Sequence, residues 1–135
     1  MVTDGTYDYA VIRVVPRVER GEQLNVGVIV SAVDAEYLEA KITDDLSRLL
    51  VLDPALDLDA VREVLATIPA ICAGGAGAGP LGELPPRGRF RWLVSPRSTV
   101  VQMSPVHTGR GHAPAALARL FECMVRPPKR EPRRE

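Results

Sequence analysis

Three apolar segments with a period of two lie within residues 1–42, and they constrain the fold more than any other feature of the chain. The first, YDYAVIRVVPRV, places Ala10, Ile12 and Val14 on one predicted strand face. The second, LNVGVIVSA, follows a turn centred on Gly21, so the two segments predict an antiparallel hairpin. The third, EYLEAKI, alternates as a half-buried strand does. Three consecutive strands joined by short turns predict an antiparallel sheet.

The hydrophobic period changes after this sheet. TDDLSRLLVL, with Thr43 as its N-cap, and DLDAVREVLATIPAICA are predicted helices, and Pro69 should kink the second or end its regular part. The Gly- and Pro-rich stretch GGAGAGPLGELPPRG predicts an irregular connector. RFRWLV predicts a fourth strand, TVVQMS predicts a fifth, and a final helix opens at Pro114. The order βββααββα predicts an α+β fold, in which an antiparallel sheet of about five strands has two or three helices packed on one face.

The length and composition of the chain are typical of a single globular domain. A chain of 135 residues with zero net charge argues for a single domain at 1–125 and against a protein that binds nucleic acid over its whole surface. Residues 126–135 hold five Lys and Arg, two Glu and three Pro, so we interpret them as a disordered basic tail. No apolar run approaches the roughly 20 residues of a membrane span, and Cys72 and Cys123 look like buried, reduced thiols. We therefore expect a cytoplasmic protein.

Three familiar motifs are present only as fragments. Gly77, Gly79 and Gly82 satisfy the dinucleotide pattern, but they follow a predicted helix and run into two prolines, so a flexible connector is favoured and no cofactor is predicted. The two His and two Cys lack the paired spacing of a zinc site, so no metal is predicted. Ser104 and His107 are the candidate catalytic pair, although no G-x-S-x-G elbow surrounds them.

Two predicted hairpins carry polar residues where apolar ones are expected. Arg13 interrupts the first strand, and Asn25 and Gly27 interrupt the second, although Gly weakens a strand unless a backbone or ligand comes close. The candidate binding patch consists of Arg13, Glu22, Asn25, Arg97, Ser98, Gln102, Ser104, His107 and Thr108. An Arg pair with hydroxyl, amide and imidazole groups suits phosphate or carboxylate recognition. The same groups could instead satisfy one another as a structural hydrogen-bond network, and both interpretations stay open.

The segments YAVIRVVPRVERGEQLNVGVIV (9–30) and FRWLVSPRSTVVQMSPVHTG (90–109) resemble the two signature blocks of an uncharacterised bacterial family, a domain of unknown function of the DUF3037 type. The resemblance names no activity. It implies that members are often encoded beside a kinase of the HipA toxin type, and hence a kinase-like protein partner rather than independent catalysis. The blocks single out Arg13, Pro16, Gly21, Glu22, Asn25, Gly27, Trp92, Pro96, Arg97, Ser98, Gln102, Ser104, Pro105, His107 and Gly109.

Three functions follow from these observations. The first, which we favour because no catalytic constellation is visible, is a non-catalytic interaction or regulatory module that binds a protein partner through the patch. The second is an enzyme acting on a phosphate ester or nucleotide, with His107 as general acid or base, Arg13 and Arg97 as charge clamp, and Ser104 or Gln102 as positioning groups. The third is a nucleic-acid binder that uses the basic tail. Exposed hairpin edges also allow a dimer by strand pairing.

Overall fold

The computed structural model describes residues 5–97 and 99–128. The strands and helices of this part of the chain, in sequence order, are β1 (Gly5–Val14), β2 (Leu24–Ala32), β3 (Tyr37–Ile42), α1 (Leu49–Leu52), α2 (Leu58–Ala73), a 3₁₀ segment (Ala76–Glu83), α3 (Pro86–Val94), β4 (Val101–Met103), β5 (His107–Gly111) and α4 (Ala113–Met124). The predicted basic tail continues through residues 129–135, which lie outside the described residues.

The five strands form one antiparallel sheet in which β1 is central. β2 pairs with one edge of β1, and β3 pairs with the far side of β2. The other edge of β1 pairs with β5 along residues 5–9 and with β4 along residues 12–14. These pairings confirm the α+β class, the antiparallel five-stranded sheet and the first three predicted strands. A β-bulge lies between Ile12 and Arg13 in the β1–β2 register.

Helices cover both faces of the sheet, so the prediction that they pack on one face is wrong. One face carries Ile12, Ile29 and Leu38 and packs in a core with α2 and α3. The opposite face carries Val28 and Val30 and packs against α4. The reason lies in the VGVIV run of β2, because a strand that is apolar without interruption is buried on both faces.

The segment RFRWLV is part of α3 and not the predicted fourth strand. The helix begins at Pro86, where the missing N–H costs nothing, and it buries Phe90 and Leu93 while Trp92 faces out. An i, i+3 spacing of buried residues is helical. The predicted strand TVVQMS is confirmed as β4 at Val101–Met103, whereas the fifth strand, His107–Gly111, was not predicted. The observed order therefore contains one more helix than predicted.

Two other predicted elements differ in extent. The helix expected from Thr43 begins at Leu49, because the hydroxyl of Thr43 accepts from the N–H of Asp45 and the carboxylate of Asp45 accepts from the N–H of Ser47. Such local side-chain bonds compete with a helix. The connector after α2 forms the 3₁₀ segment rather than irregular chain. α2 itself continues through Pro69 to Ala73.

Cys72 is buried and Cys123 is exposed, and both are free thiols, so the prediction of burial is wrong for Cys123. Burial raises the pKa of the Cys72 thiol to about 12.

Within the described part of the chain, no single helix has the length and apolar character of a membrane span, although α2 and the 3₁₀ segment satisfy both criteria together as a bent pair.

Candidate functional site

Arg13, Asn25 and Gln102 lie side by side in one row across three strands. Arg13 is directly opposite Asn25 on β2 and directly opposite Gln102 on β4, so all three share the face that α4 packs against. The Nε of Arg13 donates to Oδ1 of Asn25 at 3.3 Å. The Nδ2 of Asn25 in turn donates to the carbonyl oxygen of Met124 at 3.1 Å, at the end of α4. The first predicted hairpin and β4 therefore meet at these three patch residues, whereas the second predicted hairpin is wrong because RFRWLV is helical.

A cleft of about 490 Å³ opens where this row meets the end of α4. We call it the guanidinium cleft, and its charged and amide walls are Arg13, Asn25, Arg48, Glu122 and Arg126. The Nη2 of Arg48 donates to the carbonyl oxygen of Val125 at 3.2 Å. Arg126 forms an ion pair with Glu122 at 2.8 Å, whereas no carboxylate of the described residues pairs with Arg13 or Arg48. Sequence reasoning missed Arg48, because a single Arg in a predicted helix is an ordinary residue and gives no sign of a site.

Ser104 is buried and fully engaged with the backbone. Its N–H donates to the carbonyl of Val11 at 2.9 Å, and its hydroxyl accepts from the N–H of Val11 at 2.8 Å. The hydroxyl donates to the carbonyl of Pro105 at 2.9 Å. The Ser104 hydroxyl thus takes the place of a backbone carbonyl as the acceptor for Val11, between the parts of β1 that pair with β4 and β5, which is a structural role. None of the groups that contact the hydroxyl is a general base.

His107 and Arg13 lie at positions four residues apart along the β1 ladder and contact different neighbours. His107 is directly opposite Tyr9, and the two ring centroids are 5.5 Å apart. Tyr9 precedes Arg13 by four residues along β1, which is about 13 Å at roughly 3.3 Å per residue. The Nε of Arg13 also bonds toward β2, on the side away from β5. The proposed clamp and proton carrier are therefore not brought together.

Thr108 faces the other side of the sheet. Its hydroxyl donates to Oδ1 of Asp8 at 2.6 Å, while Arg87 of α3 donates to Oδ2 at 2.7 Å. Partial burial raises the pKa of Asp8, but the hydrogen bonds from Thr108 and Arg87 outweigh it and hold the pKa below its ordinary value. This cluster ties β5 to α3 and does not join the guanidinium cleft.

Two further patch residues, Arg97 and Glu22, are engaged elsewhere than at Arg13. The guanidinium of Arg97 donates to the carbonyls of Leu93 and Trp92 and lies 4.1 Å from the centre of the Trp92 ring, so it closes the end of α3. Glu22 forms an exposed ion pair with Arg20 in the β1–β2 turn. Ser98 lies outside the described residues.

A second surface, which the sequence analysis did not identify, lies between α2, the end of α3 and β4. Two adjoining clefts of about 210 and 480 Å³ share Val64, Thr99 and Val101 as lining residues. Val64, Trp92 and Val100 line them and are 52%, 42% and 36% exposed. We call this surface the apolar groove, after Val61, Val64, Trp92, Val100 and Val101.

The described residues hold no group of three or more His, Cys, Asp or Glu side chains that could bind a metal ion. What the two surfaces offer is binding chemistry: guanidinium donors in the guanidinium cleft, and exposed aromatic and branched side chains in the apolar groove.

Residues 9–125 match the family described as "Protein of unknown function (DUF3037)", which confirms the resemblance found in the two sequence blocks. No curated protein and no solved structure matches the chain.

Proposed function

The chain belongs to the DUF3037 family, and from this premise we propose that it is a non-catalytic interaction module that binds a protein partner in the apolar groove. One observation carries the proposal: Val64, Trp92 and Val100 are all substantially exposed and line adjoining clefts. Contiguous exposed apolar side chains in a groove mark an interaction surface, whereas scattered ones do not.

The composition of the groove suits a protein partner better than a charged ligand. Among the residues that line the two clefts, Asp57 and Arg97 are the charged ones, and their charges cancel. Trp and Arg are the residue types that dominate binding energy at protein interfaces, and Arg97 is already stacked on Trp92. A neutral apolar segment is therefore the occupant that this surface complements.

The edge of β4 favours an extended segment. Within the described sheet, β4 pairs with β1 alone, so its outer edge has no partner strand. A short extended peptide can add to such an edge through main-chain hydrogen bonds, while its alternate side chains enter neighbouring pockets. Val101 both lines the groove and belongs to β4, so one segment can use the edge and the groove together.

The engagement of the candidate residues in structural contacts supports a non-catalytic role. Ser104 serves the backbone, Arg97 closes α3, and His107 stands about 13 Å along the sheet from Arg13. The alternative hypothesis, an enzyme that acts on a phosphate ester, requires these side chains to lie around one substrate group. As the partner we propose a kinase-like protein encoded nearby, which is what the resemblance of the two sequence blocks implies.

Co-elution of the purified chain with the purified kinase-like partner at micromolar concentration tests the proposal. We expect a stable complex with wild type and with Val51→Lys, whose parent side chain is 84% exposed and outside the groove. We expect Val64→Lys to remove the complex, because it places a charge in the apolar groove on a helix that tolerates Lys well. Equal melting temperatures of the two variants show that folding is unaffected. Unchanged co-elution of Val64→Lys would overturn the proposal.

A further inference from the structure

We propose that the guanidinium cleft is a binding site for a phosphate group, which the guanidinium groups of Arg13 and Arg48 bind. This site is separate from the apolar groove and does not depend on the protein partner. The two guanidinium groups line one cleft, yet they come from β1 and from the residue before α1. The fold thus brings together cations that are distant in the sequence.

The hydrogen bonds of Arg13 leave most of its donors unused. Its Nε donates to Oδ1 of Asn25, and no other acceptor among the described residues meets the guanidinium. Asn25 is fixed in turn by the carbonyl of Met124. The bond through Nε holds the plane of the guanidinium, and the two terminal nitrogens, with four N–H donors, remain for a ligand.

Arg48 is held at the same end of α4. It donates through Nη2 to the carbonyl of Val125, the residue that follows the Met124 carbonyl bound by Asn25. Two consecutive carbonyls at the end of α4 therefore position the two arginines, Arg48 directly and Arg13 through Asn25. The remaining nitrogens of Arg48 have no acceptor within the described part of the chain.

The charges of the cleft favour an anion. Three guanidinium groups and one carboxylate line it, and that carboxylate, Glu122, is paired with Arg126. The end of α4 works against an anion, since a helix C-terminus carries roughly half a negative charge. Arg13 and Arg48 supply two full positive charges, which outweigh it.

The donor set fits phosphate better than a carboxylate. One guanidinium satisfies a carboxylate with a bidentate pair of bonds, whereas a phosphate ester presents three terminal oxygens and a charge of about −2, which two guanidinium groups can share. The cleft of about 490 Å³ is also many times the roughly 30 Å³ of a water molecule, so it has room for a group attached to the phosphate. The group that the site takes is accordingly a phosphate monoester, and inorganic phosphate is its simplest probe.

Isothermal titration of the full chain with inorganic phosphate at pH 7.5, at constant ionic strength, tests the site. We expect saturable binding of phosphate and no saturable binding of acetate. Arg13→Gln and Arg48→Gln should each weaken binding about tenfold or more, because each removes a charge-assisted pair of bonds. Arg91→Gln, at an exposed position of α3 that lines neither surface, should bind as wild type does.

Equal phosphate affinity of wild type, Arg13→Gln and Arg48→Gln would overturn the proposal, and so would acetate binding as tightly as phosphate. Arg13→Lys is the control for a folding defect, because it keeps the positive charge but lacks the planar, bidentate donors of the guanidinium. Its phosphate affinity should lie between those of wild type and Arg13→Gln, and its melting temperature should equal that of wild type. Titration with phosphoserine and with adenosine monophosphate identifies the carrier, because the natural ester should bind more tightly than inorganic phosphate.

Discussion

Arg13 and Asn25 stand directly opposite each other across a β-bulge, and a hydrogen bond of 3.3 Å joins Nε of Arg13 to Oδ1 of Asn25. The bulge inserts Val26 of β2 as an extra residue between the pairs Ile12–Gly27 and Arg13–Asn25. Without this extra residue, Asn25 would point to the other face of the sheet, because a shift of one residue turns every side chain over. The bulge therefore places an amide between the cation of β1 and the end of α4.

Replacement of Asn25 by Leu should destabilise the fold by about 1–3 kcal/mol, because the carbonyl of Met124 and the Nε of Arg13 both lose a partner in a half-buried place. Urea unfolding measures the change. Gln23→Leu, at an exposed position of the preceding turn, is the matched control and should shift stability by less than about 0.5 kcal/mol. Equal stability of the two variants would show that the Asn25 bridge carries no energy.

Replacement of Ser104 by Ala should cost about 1–3 kcal/mol, because the buried N–H of Val11 loses its acceptor. The same variant should bind the kinase-like partner and phosphate as wild type does. Thr6→Val, which removes an exposed hydroxyl of β1 that lines neither surface, is the control. A stable Ser104→Ala protein that has lost binding or some newly found activity would contradict the structural role.

Replacement of Gly27 by Ala should destabilise the sheet by about 1–3 kcal/mol. A Cβ at this position would lie 2.7 Å from the carbonyl oxygen of Lys41 and 3.0 Å from Cδ1 of Ile12, and the backbone oxygen cannot move away freely. Gly5→Ala on β1 meets nothing within 4 Å and should be neutral. Thermal unfolding of both variants decides the point, and a neutral Gly27→Ala would mean that β3 can shift outward.

Stability should fall below about pH 4 in part through Asp8. Its pKa is lower in the folded protein than the ordinary value near 3.9, so the stabilisation is complete above that value and is lost as pH falls through the folded pKa. Asp8→Asn should be less stable than wild type at pH 7, and the difference should shrink toward pH 3. Asp34→Asn, in an exposed turn, is the control. A difference that stays constant with pH would contradict the account.

The sequence predicts the elements whose apolar period is unambiguous. β1, β2, β3 and α4 follow their patterns, with Leu38 and Ile42 on the core face and Leu117 and Phe121 buried on α4. The segment of α3 was predicted as a strand because Phe90, Trp92 and Val94 are spaced two residues apart. Pro86 at the helix start was the contrary signal.

The candidate site was predictable only in part. Arg13 and Asn25 attract attention because each interrupts an apolar strand. Arg48 does not, since its place in the cleft depends on how α4 ends. The separation of His107 from Arg13 depends on the register of β4 and β5 along β1, which the turn residues of this chain do not fix.

The central claim is that a protein partner occupies the apolar groove and adds to the edge of β4. Hydrogen exchange of the chain alone and in complex with the purified kinase-like partner tests it most directly. The account predicts that amides in residues 99–103 exchange more slowly in the complex, while those of the exposed turn at 17–23 do not change. A stable complex in which residues 99–103 exchange as fast as in the free chain would contradict it.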